Sequence, residues 1–158
     1  MHQQGHPNLA VTVSSSGLVI SEDSPWLAAS PDGIVVDTMC TQQGLVELKN
    51  PSSVQDMTIS EASKKKGFCI KFEEGTGKCL DKNHNYYFQV QCQIYCTRRQ
   101  WCDFVVRTNK DLYVERIYPD CQWWKTQLLK VEKFYFKALL PELACPRHHI
   151  GGIREPVE

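Results

Sequence analysis

The hydrophobic positions of this chain come in short runs. LAVTV at 9–13 and GLVI at 17–20 are separated by serines and predict a hairpin or a pair of short strands. SPWLAASPDG, rich in Pro, Ser and Gly, is a loop that feeds a second strand, IVV at 34–36. LVELK at 45–49 reads as the next strand, closed by Asn50 and Pro51, because proline cannot donate to a ladder and restricts the residue before it. Strand side chains alternate faces, so Leu45, Glu47 and Lys49 share one face and Val46 and Leu48 the other. On its own, the Glu47 face reads as the wetted side of a half-buried strand, where Glu and Lys are common.

Between 52 and 82 the pattern weakens, and this segment reads as an insertion on a core. Thr58 with Glu61 resembles a capping box for a short helix reaching Lys64–Lys66, whose lysines read as a solvated helix end that a DNA backbone would also suit. FCIKF and KCL flank EEGTG as a hairpin. From 83 to 98, Tyr87, Val90 and Ile94 fit a helix face, although the β-branched and aromatic content would also allow a strand. His84, just before it, reads as a cap or surface residue. Strands at 102–108 and 112–118 are joined by Asn109, Lys110 and Asp111. A last helix over 120–140 carries Trp124, Leu128, Val131 and Ala138 at helical spacing, with Pro141 ending it. The order describes an α/β sandwich around a mixed sheet.

Composition narrows the class. A chain of 158 residues fits a single domain, 1–158, with a real core. Eighteen basic and eighteen acidic residues cancel, so any nucleic-acid contact is local. No apolar run approaches the roughly 20 residues of a membrane span. The start, MHQQGHPNLAVTV, lacks the pattern of a secretory signal, so the expected location is intracellular: the nucleus in a eukaryote, otherwise the cytoplasm. In a reducing compartment the eight cysteines read as free thiols. No CxxC appears, and a structural zinc would have to gather ligands such as Cys92, Cys96, Cys145, His148 and His149 without the paired spacing zinc modules show.

Three short pieces carry chemistry: Ser30-Pro31-Asp32-Gly33 at a strand mouth, Glu47-Leu48-Lys49 on the next strand, and Gln89-Val90-Gln91 on the following helix. If the first two strands are adjacent and antiparallel, Asp32 and Glu47 can approach one divalent ion, since hard cations take oxygen ligands. Lys49 would then sit beside metal-bound water or a phosphate developing charge, as metal-assisted phosphodiester hydrolysis requires.

SPDG at 30–33, ELK at 47–49 with Pro51, and YYFQVQ at 86–91 continuing into TRRQW at 97–101 resemble the PD-(D/E)xK nuclease superfamily. Within it they are similar to the YqaJ-like and lambda phage exonuclease family of viral recombination nucleases, from about Gly17 to Pro141. The resemblance implies a restriction-endonuclease-like α/β sandwich and a Mg²⁺- or Mn²⁺-dependent deoxyribonuclease. It makes Asp32, Glu47 and the Leu48 carbonyl metal ligands, and Lys49 and Gln91 the groups that orient and activate water. Gln89 and Gln93 are expected to face solvent or serve the structure. Ser30 is expected to help hold a terminal phosphate on DNA. The family implies double-stranded DNA as substrate with 5′-to-3′ polarity, a homotrimer, and a single-strand annealing protein as partner. It usually bears a further metal-facing glutamate on an upstream helix, for which the start at Met1 leaves no room; Glu22 and Asp23 are the only acids before Asp32. The competing expectation is a catalytically inactive remnant that binds DNA or protein.

Overall fold

The computed structural model describes residues 11–37, 43–73, 75 and 77–146. The chain forms two compact units, Met1–Pro119 and Asp120–Glu158.

The first unit is built on a five-stranded sheet in the order β1-β4-β5-β8-β9: β1 Val11–Ser14, β4 Gly33–Asp37, β5 Gln43–Lys49, β8 Cys102–Arg107 and β9 Leu112–Ile117. Neighbours run antiparallel except β5 and β8, which are parallel, so the sheet is mixed. Parallel neighbours need a crossover connection. Here it contains α2, Asn85–Thr97, which packs on β8 and on the small ladder of β2 (Val19–Ile20) and β3 (Ala28–Ala29). The runs at 9–20 therefore do not pair with each other as a hairpin. Each finds a non-local partner, β1 with β4 and β2 with β3.

The helix expected at 83–98 forms because its ends are well capped. The His84 side chain accepts from the Tyr86 N–H, and Arg98 closes the helix in a left-handed conformation, φ 54°. Tyr87, Val90 and Ile94 are buried along it. The sheet face carrying Leu45, Cys102, Phe104 and Val106 is sealed, while Leu48 on the opposite face is 44% exposed.

Segment 52–82 holds a 3₁₀ turn at Ser52–Val54, α1 at Ile59–Ala62 and the hairpin β6 (Ile70–Glu73) and β7 (Gly77–Leu80). Thr58 and Glu61 form the capping box reciprocally, but the helix stops before the lysines. Val54, Ile59, Ala62, Ile70 and Leu80 are all buried, so the segment contributes to the core.

In the second unit, α3 (Cys121–Phe134) is capped by Asp120, whose side chain accepts from the Trp123 N–H. Pro141 does not end the helical run. The turn at Tyr135–Leu139 widens to π geometry, with the Leu140 N–H reaching the Tyr135 carbonyl, and α4 follows at Leu140–Ala144. Proline is tolerated there because it falls in the first turn of α4, where a missing N–H costs little. Among the described residues no helix is long and apolar enough to cross a membrane.

One position is sterically closed. A Cβ on Gly44 would lie 2.2 Å from the Trp101 ring. That ring is buried under the Arg116 guanidinium, 3.7 Å from its centroid, which itself bonds Asp103 through two nitrogens at 2.8 Å. Gly44→Ala is therefore expected to cost about 1–3 kcal/mol by overpacking, lowering the thermal midpoint by several degrees in a melt followed by circular dichroism.

Candidate active site

The strand register explains how Asp32 and Leu48 meet. Gly33 of β4 lies opposite Val46 of β5, so continuing the pairing outward sets Pro31 opposite Leu48. Proline has no N–H, and the ladder cannot continue there. The Asp32 carboxylate takes over, its Oδ2 accepting from the Leu48 N–H at 2.8 Å. Both polar groups of a strand residue point to the same edge, so the Leu48 carbonyl faces this side too, where Pro31 has no hydrogen to offer. One exposed carboxylate and one main-chain carbonyl thus converge at the end of β4.

Glu47 lies on the buried face. It is 1% exposed, so the expectation of a wetted strand face is reversed. An isolated carboxylate there would cost several kcal/mol, and the chain surrounds it with donors. Lys49 Nζ forms an ion pair with Oε1, Gln89 Nε2 donates to Oε1 at 2.6 Å, and Gln93 Nε2 donates to Oε2 at 2.7 Å. Lys49, whose side chain is 17% exposed, also lies 4.6 Å over the Tyr86 ring, a cation–π contact that fixes its direction.

The helix supplies these partners from one face. Tyr86, Gln89 and Gln93 are three and four residues apart and stack along it, whereas Gln91 is two residues from either glutamine, about 200° around the axis. Gln91 is buried and donates to the Tyr118 carbonyl at 2.9 Å. The structure does not bring Gln91 to Glu47 and Lys49; Gln89 and Gln93, read from sequence as solvent-facing or structural, stand there instead. The i, i+4 glutamine spacing in phase with Tyr86 was the available signal. Ser30 is exposed, and it is its main-chain carbonyl that lies 3.5 Å from Gln93 Nε2. His84 caps α2. Glu22 and Asp23 both pair with Arg98 at 2.8 Å, at the far end of α2 from Tyr86.

Among the described residues no three His, Cys, Asp or Glu side chains come together, so the centre offers two carboxylates and a carbonyl. That set suits a hard divalent ion that keeps several waters. Gln93 Oε1 adds to the fit: it is buried with no hydrogen-bond partner, beside Glu47, where such an orphan acceptor costs about 1–3 kcal/mol and a water on a bound cation would satisfy it.

Burial disfavours the thiolate at Cys69 and Cys102, near the centre. Burial raises the Cys69 thiol to about 11, and burial followed by the charges of Glu47, Asp103 and Asp32 raises Cys102 further. Cys92 is also pushed up, by donating to Cys96 and by burial. At pH 8, iodoacetamide is expected to modify the exposed Cys121 and Cys145 well before Cys69 and Cys102, which should label only after urea unfolding, as read by peptide mass mapping. Cys40, His148 and His149 lie outside the described residues.

A mixed sheet flanked by helices, with an acid at one strand mouth and an acid–lysine pair on the next strand, is the restriction-endonuclease-like fold. Residues 6–100 match the model of the YqaJ-like viral recombinase domain, and the chain belongs to that family. The alkaline exonuclease from Laribacter hongkongensis, LHK-Exo, is similar in structure: TM-score 0.53, 27% identity, covering 89% of this chain and 61% of that one. LHK-Exo in complex with dAMP gives a TM-score of 0.60 at 26% identity, covering 89% and 63%. The chain thus spans under two thirds of those chains' length. A comparison with curated protein sequences returns no match.

Proposed function

We propose that this chain carries the catalytic centre of a divalent-metal-dependent deoxyribonuclease that digests duplex DNA from a 5′ end. The observation that carries this reading is the buried Glu47 paired with the part-buried Lys49 beneath α2, with Asp32 and the Leu48 carbonyl at the adjacent strand mouth. Asp32, Glu47 and the Leu48 carbonyl would hold Mg²⁺ or Mn²⁺, which when bound supplies Lewis acidity toward a phosphodiester oxygen and toward water. Gln89 and Gln93 fix the Glu47 carboxylate, and Tyr86 aims the Lys49 amine. Lys49 then offers a proton-bearing cation to the attacking water and to the charge that builds on the phosphate. Family membership and the similarity to an alkaline exonuclease, one form of it bound to dAMP, support a site that handles deoxyribonucleotides. Duplex DNA, a ring-like homo-oligomer, a single-strand annealing partner and an intracellular location belong to the same proposal.

The test is incubation of linear duplex and covalently closed circular duplex with Mg²⁺ or Mn²⁺. Loss of the linear DNA alone, stopped by EDTA, is expected; neither substrate being degraded with either metal would overturn the proposal. One observation favours a second reading, an inactive DNA- or protein-binding remnant: the described centre gathers two carboxylates, with Glu22 and Asp23 committed to Arg98. A Mn²⁺ titration that shows no Asp32-dependent binding would select it.

A further inference from the structure

The Tyr86 ring that carries Lys49 on one side also forms a wall of a surface cavity. With Ser53, Lys65, Lys66, Gly67 and His84 it lines a recess of about 190 Å³. A liquid water occupies about 30 Å³, so the recess has room for a tetrahedral anion with solvent around it. Lys65, Lys66 and His84 are its basic lining residues and none is acidic, in a chain whose net charge is zero. Asp81, whose carbonyl takes the His84 N–H, already has its carboxylate within 3.3 Å of Lys71 Nζ.

The local backbone presents these cations. Helix α1 stops at Ala62, and Gly67 turns the chain at φ +82°, a conformation that favours glycine, so Lys65 and Lys66 stand exposed at the rim. Lys65 Nζ is held over the recess by the Ser53 carbonyl at 3.2 Å, with the ammonium's remaining hydrogens to donate. His84 Nδ1 accepts the Tyr86 N–H at 3.1 Å, which assigns the neutral ring's proton to Nε2 and makes that nitrogen a donor. The two lysines and the histidine thus each have a donor to give, and the recess lining holds no carboxylate to take it.

We infer that this recess is a subsite for a phosphodiester of the DNA strand, one ring's width from the Lys49 amine, with Lys65 and Lys66 as its cations. The inference rests on the nuclease reading and names where the strand runs: from the Asp32–Glu47–Lys49 centre past Tyr86 and over the 65–67 turn. It gives these lysines a binding role without a role in the chemical step.

The test measures duplex-oligonucleotide binding by fluorescence anisotropy in EDTA over a series of salt concentrations, beside cleavage in Mg²⁺. Lys65→Ala/Lys66→Ala is expected to weaken binding by about ten-fold or more and to lower the slope of log K against log salt by about 0.9, the amount for the one phosphate that is no longer neutralised. Lys65→Arg/Lys66→Arg should restore both. Unchanged affinity and slope in the alanine variant, or an arginine variant as weak as the alanine one, overturns the subsite. If the unmodified chain cuts DNA while the alanine variant binds and cuts equally well, only the subsite falls. If the unmodified chain neither binds nor cuts DNA, the nuclease reading falls with it.

Discussion

Lys49→Ala is expected to slow hydrolysis of linear duplex DNA by about 100- to 1,000-fold, the usual loss when one preorganised donor to a developing charge is removed. The geometry makes this loss hard to compensate. Lys49 is the charged member of the donor set around Glu47, and the two others, Gln89 and Gln93, are neutral amides. Alanine also empties the space over the Tyr86 ring, so part of its effect is structural: a buried carboxylate losing its cation costs about 1–3 kcal/mol when the pair is partly exposed. Lys49→Met separates the two, because its stem still covers Tyr86 while the charge is gone. Both variants should bind duplex DNA in EDTA within about a factor of two of the unmodified chain, because a single phosphate contact is a small part of the interface. The readout is acid-soluble nucleotide released per minute. Equal rates in Lys49→Met and the unmodified chain would remove Lys49 from the chemistry and with it the proposed mechanism.

How much of the molecule is legible without coordinates depends on which interactions are local. The strand at Gln43–Lys49 and the helix at Asn85–Thr97 are readable because period and caps are properties of neighbouring residues. The pairing of β1 with β4 is not, since turn residues between two short strands cannot say whether the partner is adjacent or distant. The same limit decides the site. Alternation puts Glu47 and Lys49 on one face correctly, but whether that face is wet or sealed depends on where α2 lies. Its burial turns an ordinary surface pair into a paired charge under a helix. Gln91 enters the expected site because the resemblance puts the second glutamine of QVQ in the chemistry. The phase of Tyr86, Gln89 and Gln93 around the helix, which is readable once the helix is accepted, points the other way. Pro31 shows the reverse case: its missing N–H can be read at once, but its meaning, a ladder interrupted opposite Leu48, needs the register. Pro141 reads wrongly as a stop because proline breaks a helix interior yet is accepted in a first turn, and nothing in the sequence reveals that a widened turn restarts the helix there.

Asp32 does two things at once, and they can be pulled apart. Its carboxylate replaces the missing strand partner of Leu48 and also presents the exposed charge of the centre. Asp32→Asn keeps an oxygen that can accept the Leu48 N–H and discards the charge, whereas Asp32→Ala discards both. The asparagine variant is therefore expected to melt close to the unmodified chain, and the alanine variant about 1 kcal/mol less stable, the usual worth of one partly exposed hydrogen bond. In Mn²⁺ affinity the two should be alike, each weaker by about 100-fold, because a hard cation needs the anionic oxygen and an amide oxygen binds it far less well. Cleavage should fall in parallel and be partly recovered by raising Mn²⁺, a recovery that Lys49→Met should not show, since its defect lies in the step after metal binding. Calorimetric titration with Mn²⁺ and thermal melts supply the readouts. An asparagine variant that titrates Mn²⁺ as the unmodified chain does would confine Asp32 to its strand-closing role and strike it from the metal ligands, because the substitution keeps one oxygen for the Leu48 N–H and removes the anionic charge and the second oxygen that a divalent ion favours.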